Sequence, residues 1–275
     1  MHSQNITILD RIIYVNIGVF ILINLIELFS FLMQINIDII PYFGLSANIS
    51  VLIKKPWTII SYMFSHQNFS HILLNLFWLY FSGKIFIKYI DKHELLATYV
   101  MSGFAGLFFY LVAFNLLPVF TDFKNNSIAI GASASVLGVL VASATHVPNF
   151  NINLYLIPAQ IKLKHIAIIA IIIDIISIPK GNAGGHIAHL GGAIYGFFFM
   201  RLHRKKINAN FLINKLITHF NQKKNKTTTP RRENDYEFNA RKKNNEKEIN
   251  KILDKINLSG YDSLSTKEKE YLHKQ

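Results

Sequence analysis

Residues 129–138 read AIGASASVLG, and this stretch decides how the rest of the chain is organised. It places a serine, Ser133, among small residues at the start of a long apolar run. A hydroxyl there lies within a membrane-embedded segment, where polar side chains need an explanation. Two interpretations are open, because small residues and serines also pack membrane helices together. Ser133 is therefore either a helix-packing residue or a nucleophile whose partner lies elsewhere in the chain.

The composition is that of a membrane protein. Of the 275 residues, 51% are hydrophobic, which is high for a soluble domain. There is no cysteine, which excludes a disulfide framework, a cysteine nucleophile and cysteine-based zinc sites. The net charge of +13 is concentrated in residues 201–275, which carry 19 Lys/Arg against 9 Asp/Glu. A basic tail beside a membrane is typical of contact with anionic lipid, and without a nucleic-acid-binding motif we expect no nucleic-acid partner.

Apolar segments predict an all-α membrane protein whose first 202 residues form a six-transmembrane-helix bundle. A spanning helix needs roughly 20 mostly apolar residues. The segments lie at about 12–33, 71–90, 95–117, 129–147, 165–179 and 185–201. The connection at 34–70 is also apolar, and we expect it to lie partly in the bilayer interface. Lys and Arg are more numerous in the loops on the side of both termini, which predicts that both termini are cytoplasmic.

The polar tail divides into two parts. Residues 203–246 are rich in Lys, Asn, Thr and Glu, and we interpret them as a basic, largely disordered linker. Residues 247–275 are predicted to form a small helical hairpin. Gly260 separates its arms, and Ser265 with Glu268 has the spacing of a capping box. We expect this soluble, partly disordered tail to contact the inner leaflet or a cytoplasmic partner protein.

Three predicted helices begin on the outer side of the membrane and carry reactive side chains at a similar depth. His71 lies in the second helix, Ser133 in the fourth and His189 in the sixth. Serine needs a neighbouring base to become a nucleophile, and histidine is the usual base. Gly192 and Gly196 lie on the helix face of His189 and allow the sixth helix to approach the fourth closely. This spacing brings His189 towards Ser133, where the histidine is either the base or a polar contact that only connects the two helices.

Other polar side chains near the outer surface have alternative interpretations. His71 and Asn75 are four residues apart and share a helix face, so they either donate hydrogen bonds to an oxyanion or cap and connect helices. His186, one turn nearer the surface than His189, is a competing base. Asp174 is expected to meet water or a polar loop at the outer end of the fifth helix, outside the site. Because the sequence has no His-Glu-x-x-His motif, we predict no metal site, and no cofactor.

Four patterns resemble the rhomboid family of intramembrane serine proteases. They are Gly131-Ala132-Ser133-Ala134, His189-Leu190-Gly191-Gly192 followed by Gly196, His71 with Asn75, and Trp57 in the long first loop. The resemblance covers about residues 12–202. It implies a Ser–His dyad without an acid, in which Ser133 attacks a transmembrane protein substrate near its outer end and His189 transfers the proton.

The resemblance also implies an oxyanion hole, a substrate entrance and a location. The backbone N–H of Ser133, with His71 and Asn75, would bind the oxyanion, and the fifth helix would act as a gate for substrates entering from the lipid. The bacterial type of this family implies an integral protein of the inner (plasma) membrane. In many members a tyrosine stacks on the base where this chain has Leu137, and Trp-Arg occurs in the first loop where it has Trp57-Thr58.

Two other functions compete with proteolysis. One is a catalytically silent rhomboid-like protein that binds membrane clients without cutting them. Such proteins usually lack the serine or the histidine, and both are present here. The other is a six-helix transporter, which is disfavoured because paired charges and broken helices near the midplane are not evident in the sequence.

Overall fold

The computed structural model describes residues 6–153, 160–207, 209–211, 213–215, 235–265 and 268–269. The chain forms two compact units, residues 1–217 and 218–275. The first unit contains all the candidate site residues, and it is mainly helical.

The elements of the first unit alternate long helices with short connecting pieces. In chain order the helices are α1 (Ile8–Leu32), α2 (Ile40–Phe43), α3 (Ile49–Lys54), α4 (Thr58–Ser61), α5 (Phe69–Tyr89), α6 (Lys92–Leu116), α7 (Ser133–His146), α8 (Leu163–Ser177) and α9 (Ala183–Arg204). The strands are β1 (Leu45–Ser46), β2 (Ile128–Ala129), β3 (Asn151–Asn153) and β4 (Gln160–Lys162). Six of these helices correspond in order to the six predicted apolar segments.

Among the described residues, three helices are long and apolar enough to cross a membrane. They are α1, α5 and α6, with 25, 21 and 25 residues. The apolar α7 has only 14 residues. The chain is therefore an integral, helical membrane protein, whereas the arrangement of six spans remains a prediction.

The helix α7 lies at the centre of the first unit, and each residue from Ala134 to Ala144 is buried. Small side chains allow the neighbouring helices to come close to it. A Cβ atom on Gly106 of α6 would lie 2.7 Å from the Cβ of Ala134 and 2.8 Å from the carbonyl oxygen of Ala188 in α9. The backbones of α6, α7 and α9 therefore meet beside the first turn of α7.

The start of α7 differs from the prediction, which placed the fourth helix from residue 129. Ile128 and Ala129 form β2, which pairs antiparallel with Leu45 and Ser46 of β1. Gly131 then has a φ angle of 136°, which no right-handed helix contains. The helix begins only at Ser133, so the serine is its first residue. Hydropathy misplaced this boundary because a short apolar strand and an apolar helix are alike in composition.

The second unit contains the helix α10 (Asp235–Ser259), which ends before Gly260 at a φ angle of 78°. The linker was predicted to be largely disordered up to residue 246, but residues 235–246 belong to this helix. Glu, Lys and Arg are good helix formers, so a high charge density does not by itself exclude a helix. The predicted capping box is present, since the backbone N–H of Ser265 donates to Glu268 Oε2 at 2.7 Å. Residues 216–234, within the predicted linker, lie outside the described residues.

Candidate active site

Ser133 and His189 are in direct contact. The Oγ atom of Ser133 lies 2.5 Å from Nε2 of His189, although the two residues are 56 positions apart in the chain. Ser133 is the first residue of α7, and His189 lies in the second turn of α9. The structure thus brings together the serine and the histidine that the sequence analysis singled out.

Two glycines on α9 account for this proximity. A Cβ atom on Gly192 would overlap the carbonyl oxygen of Ala134, and one on Gly196 would overlap that of Gly138. The backbones of α7 and α9 therefore touch at two successive turns, as small residues at four-residue spacing permit. His189 lies three residues before Gly192 on the same face of α9. Its side chain consequently faces the start of α7.

The turn that precedes Ser133 is held by backbone hydrogen bonds and by histidines. The N–H of Gly131 donates to the carbonyl oxygen of Tyr62 at 2.9 Å. A Cβ atom on Gly131 would lie 2.7 Å from Cε1 of His71, and the positive φ angle also disfavours any other residue. The N–H of Ala132 donates to Nε2 of His66 at 3.4 Å. Burial, with a smaller effect of the neighbouring His71, lowers the pKa of His66 to about 3, so this ring stays neutral and can accept the bond.

A pocket of about 360 Å³ adjoins the serine and the histidine. Its lining includes Tyr62, Gln67, Asn68, His71, Ser133 and His189. The pocket therefore offers a place for a reacting carbonyl group beside the hydroxyl of Ser133. Tyr62, Gln67 and Asn68 were not identified from the sequence, because they belong to a connection without a recognisable motif.

The two predicted oxyanion donors occupy different positions. His71 lines the pocket and contacts the turn at Gly131. Asn75 is buried, and its Nδ2 donates to the carbonyl oxygen of His71 at 3.0 Å within the same helix. Asn75 is not among the described residues that line the pocket. Its role in binding an oxyanion remains a prediction.

Asp174 corrects the expectation that the site lacks an acid. Its Oδ1 atom lies 2.8 Å from Nδ1 of His189 and 2.8 Å from Nδ1 of His186. The side chain is buried instead of facing water, because Asp174 lies on the inward stripe of α8 together with Leu163 and Ala167. Carboxylate, imidazole and hydroxyl thus form a continuous chain from Asp174 through His189 to Ser133.

This chain of contacts assigns the protons. A carboxylate only accepts hydrogen bonds, so Nδ1 of His189 must carry the hydrogen that it shares with Asp174. In the neutral ring Nε2 then has a free electron pair, which accepts the hydroxyl hydrogen of Ser133. This is the arrangement that activates a serine for attack on a carbonyl carbon.

His186, the competing base predicted from the sequence, is hydrogen-bonded to Asp174 and not to Ser133. It shares the Asp174 oxygen with His189, and the two imidazole rings are 5.8 Å apart in an edge-to-face orientation. The ligand atoms of Asp174, His186 and His189 all lie within 4.8 Å of one another, so these residues could also hold a metal ion.

Two regions of the chain match models of known protein families. The Rhomboid domain model matches residues 54–206, which is more than half of the chain. A family of unknown function, DUF6576, matches residues 233–274 of the second unit.

The curated relatives are distant. The chain is 27% identical over 143 residues to presenilin-associated rhomboid-like protein A, mitochondrial, of Danio rerio. This match covers 50% of this chain and 35% of that protein. It is 29% identical over 146 residues to RHOMBOID-like protein 12, mitochondrial, of Arabidopsis thaliana (50% and 43%). It is 24% identical over 175 residues to Rhomboid-like protease 1 of Toxoplasma gondii (62% and 55%). This chain thus spans about a third to a half of their lengths, and by its domain match it belongs to the rhomboid family.

Proposed function

We propose that the chain is an intramembrane serine endopeptidase that cleaves transmembrane protein substrates near the outer membrane face. The observation that carries this proposal is the 2.5 Å contact between Ser133 Oγ and His189 Nε2. A neutral imidazole in contact with a hydroxyl is the arrangement that serine hydrolases use to generate a nucleophile. Membership of a family in which one relative is named a protease supports the same reading.

In the first step Ser133 Oγ forms a bond to the carbonyl carbon of the scissile peptide. Its proton passes to Nε2 of His189, and the carbonyl oxygen becomes an anion. His189 then returns the proton to the leaving amine as the C–N bond breaks, which leaves an ester on Ser133. A water molecule, deprotonated by His189, hydrolyses this ester in the second step. The reaction is balanced with water as its only co-reactant.

The oxyanion requires fixed donors. The backbone N–H of Ser133 belongs to the first turn of α7, where N–H groups have no intrahelical acceptor and point towards incoming negative charge. His71 is the second proposed donor, since its ring lines the pocket beside Ser133. Asn75 would contribute through its second Nδ2–H, because only one of the two amide hydrogens is donated to the His71 carbonyl oxygen.

Asp174 orients the ring of His189, which Leu137 cannot do. Many family members orient the base with a tyrosine at the position that Leu137 occupies here, and a leucine cannot replace that stacking. The carboxylate of Asp174 instead fixes the tautomer and the ring plane of His189 through Nδ1. We therefore assign Asp174 as a positioning residue that also stabilises the imidazolium formed during the reaction.

The membrane setting completes the proposal. We infer six spans, with α7, α8 and α9 crossing alongside α1, α5 and α6, and both termini in the cytoplasm. The chain would reside in a bacterial inner membrane, surrounded by lipid, and α8 would form the gate for substrates. The second unit would meet the inner leaflet or a cytoplasmic partner protein.

Labelling with a serine-directed fluorophosphonate tests the proposal. We expect the detergent-solubilised chain to be labelled, and we expect Ser133→Ala or His189→Ala to abolish both labelling and cleavage of a single-span model substrate. The matched control is Ser135→Ala, two residues away, whose buried hydroxyl lies near Gly103 in α6. This variant should retain both signals.

The outcomes separate the candidate functions. Labelling or cleavage that persists in Ser133→Ala would refute the nucleophile. A folded parent chain that captures single-span proteins, but is neither labelled nor cleaves them, would identify the silent client-binding protein instead.

A further inference from the structure

A cluster formed by Asp174, His186 and His189, called here the acid–histidine cluster, offers more ligands than proteolysis uses. One carboxylate oxygen is shared by two imidazole nitrogens, each at 2.8 Å. The carboxylate is buried, whereas the histidine side chains retain 20% and 22% of their exposure. The proposed reaction needs one of these histidines, and the role of His186 is left unexplained by it.

The donor atoms of the cluster suit a zinc ion. Zinc is bound by imidazole nitrogen and carboxylate oxygen at about 2.0 to 2.2 Å, usually with tetrahedral geometry, so neighbouring ligand atoms are about 3.3 Å apart. In the structure the Asp174 oxygen lies 2.8 Å from each of the two imidazole nitrogens, and all the ligand atoms lie within 4.8 Å of one another. The spacing of about 3.3 Å that zinc requires falls within this range. A metal ion would therefore replace the two hydrogen bonds with little movement, and water would fill the fourth position.

We propose that the acid–histidine cluster is a reversible binding site for Zn²⁺, and that its occupation switches the protease off. The binding site stands on the cluster alone, whereas the inhibition rests on the proposed function. His189 also lines the pocket beside Ser133, so the cluster borders a cavity through which an ion can enter.

The inhibition follows from the two nitrogens of a single ring. In the catalytic arrangement the hydrogen of His189 is on Nδ1, and Nε2 accepts from Ser133. Zinc on Nδ1 moves that hydrogen to Nε2, because a neutral imidazole has only one. Nε2 then presents an N–H to Ser133 Oγ in place of an electron pair. The ring can no longer take the serine proton, and Asp174 no longer supports it.

His186 makes this a three-ligand site. A histidine and a carboxylate alone give two protein ligands, fewer than the three that open zinc sites commonly have. The second imidazole is held against the same carboxylate oxygen, so it is already close to a coordinating position. His186 thereby distinguishes the metal site from the proton transfer, because it contacts Asp174 but has no hydrogen bond to Ser133.

Zinc binding is measured on the full-length Ser133→Ala protein in detergent, which needs no proteolytic activity. Titration with ZnCl₂ against a fluorescent chelator should give one tight site per chain, and Co²⁺ should show the visible absorption of a tetrahedral N,O site. His186→Phe removes one ligand and keeps a ring. Because loss of outer-shell partners alone weakens metal binding by roughly 10- to 100-fold, this variant should lose about 100-fold or more. His165→Phe, on the exposed end of α8, is the matched control and should bind like the parent.

Inhibition is measured with Ser133 intact. Zinc should block cleavage of the model substrate, and a chelator should restore it. His186→Phe, with its rate expressed relative to its own zinc-free rate, should need about 100-fold more zinc for the same inhibition. Equal zinc affinity in the parent and in His186→Phe, or no Co²⁺ absorption, would overturn the site. Zinc binding by a chain without any protease activity would instead retain the site and reject the proposed function.

Discussion

Replacing Asp174 with asparagine isolates the contribution of its charge. Asn has the same shape as Asp, so the packing between α8 and α9 should persist. The variant loses the negative charge that faces Nδ1 of His189 at 2.8 Å. An amide can also present N–H groups to His189, which would favour the wrong tautomer of the ring. We expect Asp174→Asn to retain the fold and lose most of its cleavage rate.

The magnitude follows from the strength of one buried, charged hydrogen bond. Such bonds are worth about 1.5 to 3 kcal/mol. Asp174 retains only 9% of its side-chain exposure, so solvent screens this bond little. Since 1.36 kcal/mol corresponds to a factor of ten in rate, kcat should fall by roughly 10- to 150-fold. KM should change little, because Asp174 does not line the pocket.

Initial rates of cleavage of a single-span substrate in proteoliposomes measure this effect. Glu27→Gln is the matched control, because it also removes a carboxylate from an apolar helix but lies in α1, away from the site. It should retain the parent rate. If Asp174→Asn cleaves within about twofold of the parent, the carboxylate does not position the base, and the reasoning from its contact with His189 fails.

Three further results are expected. Gly192→Ala should misfold or lose activity, because its Cβ overlaps the Ala134 carbonyl oxygen, whereas Gly18→Ala, with nothing within 4 Å, should be neutral or slightly stabilising in thermal-shift assays. The pKa of His66 is lowered to about 3 from 6.5, so between these two pH values the unfolded state binds more protons than the folded state. The free energy of unfolding therefore decreases as the pH falls below 6.5, by about 2 kcal/mol at pH 5. His66→Gln should reduce the accompanying fall in melting temperature. Truncation after residue 217 should retain Ser133-dependent labelling, since every site residue precedes it, and loss of labelling would contradict this independence.

The order of the long helices could be predicted from the sequence because hydropathy is a property of each segment alone. The contact between Ser133 and His189 was predictable for a related reason, since glycines at four-residue spacing and a common depth both appear in the sequence. The start of α7 was not, because β2 forms only through its partner β1, which lies more than 80 residues earlier. Pairing of that kind leaves little trace in a window of apolar residues.

Asp174 shows where the inference from sequence was incomplete. Its position near the end of an apolar helix suggested contact with water, and its partners lie on another helix, so its immediate sequence neighbours could not reveal them. One signal was available. Asp174 is seven residues after Ala167, the spacing of a helix face, in a helix whose other positions are mostly isoleucine. An ionisable residue on the small-residue face of such a helix points towards the protein interior.

The location of Asp174 on α8 has a mechanical consequence. The helix proposed to move aside for an entering substrate is also the helix that holds the catalytic imidazole in register. A hydrogen bond of 2.8 Å is lost once its atoms are more than about 3.5 Å apart, so a sideways shift of less than 1 Å releases His189. If α8 is the gate, as proposed, opening the entrance would also loosen the contact between Asp174 and His189, and cleavage would reach its full rate only after the helix had returned behind the substrate.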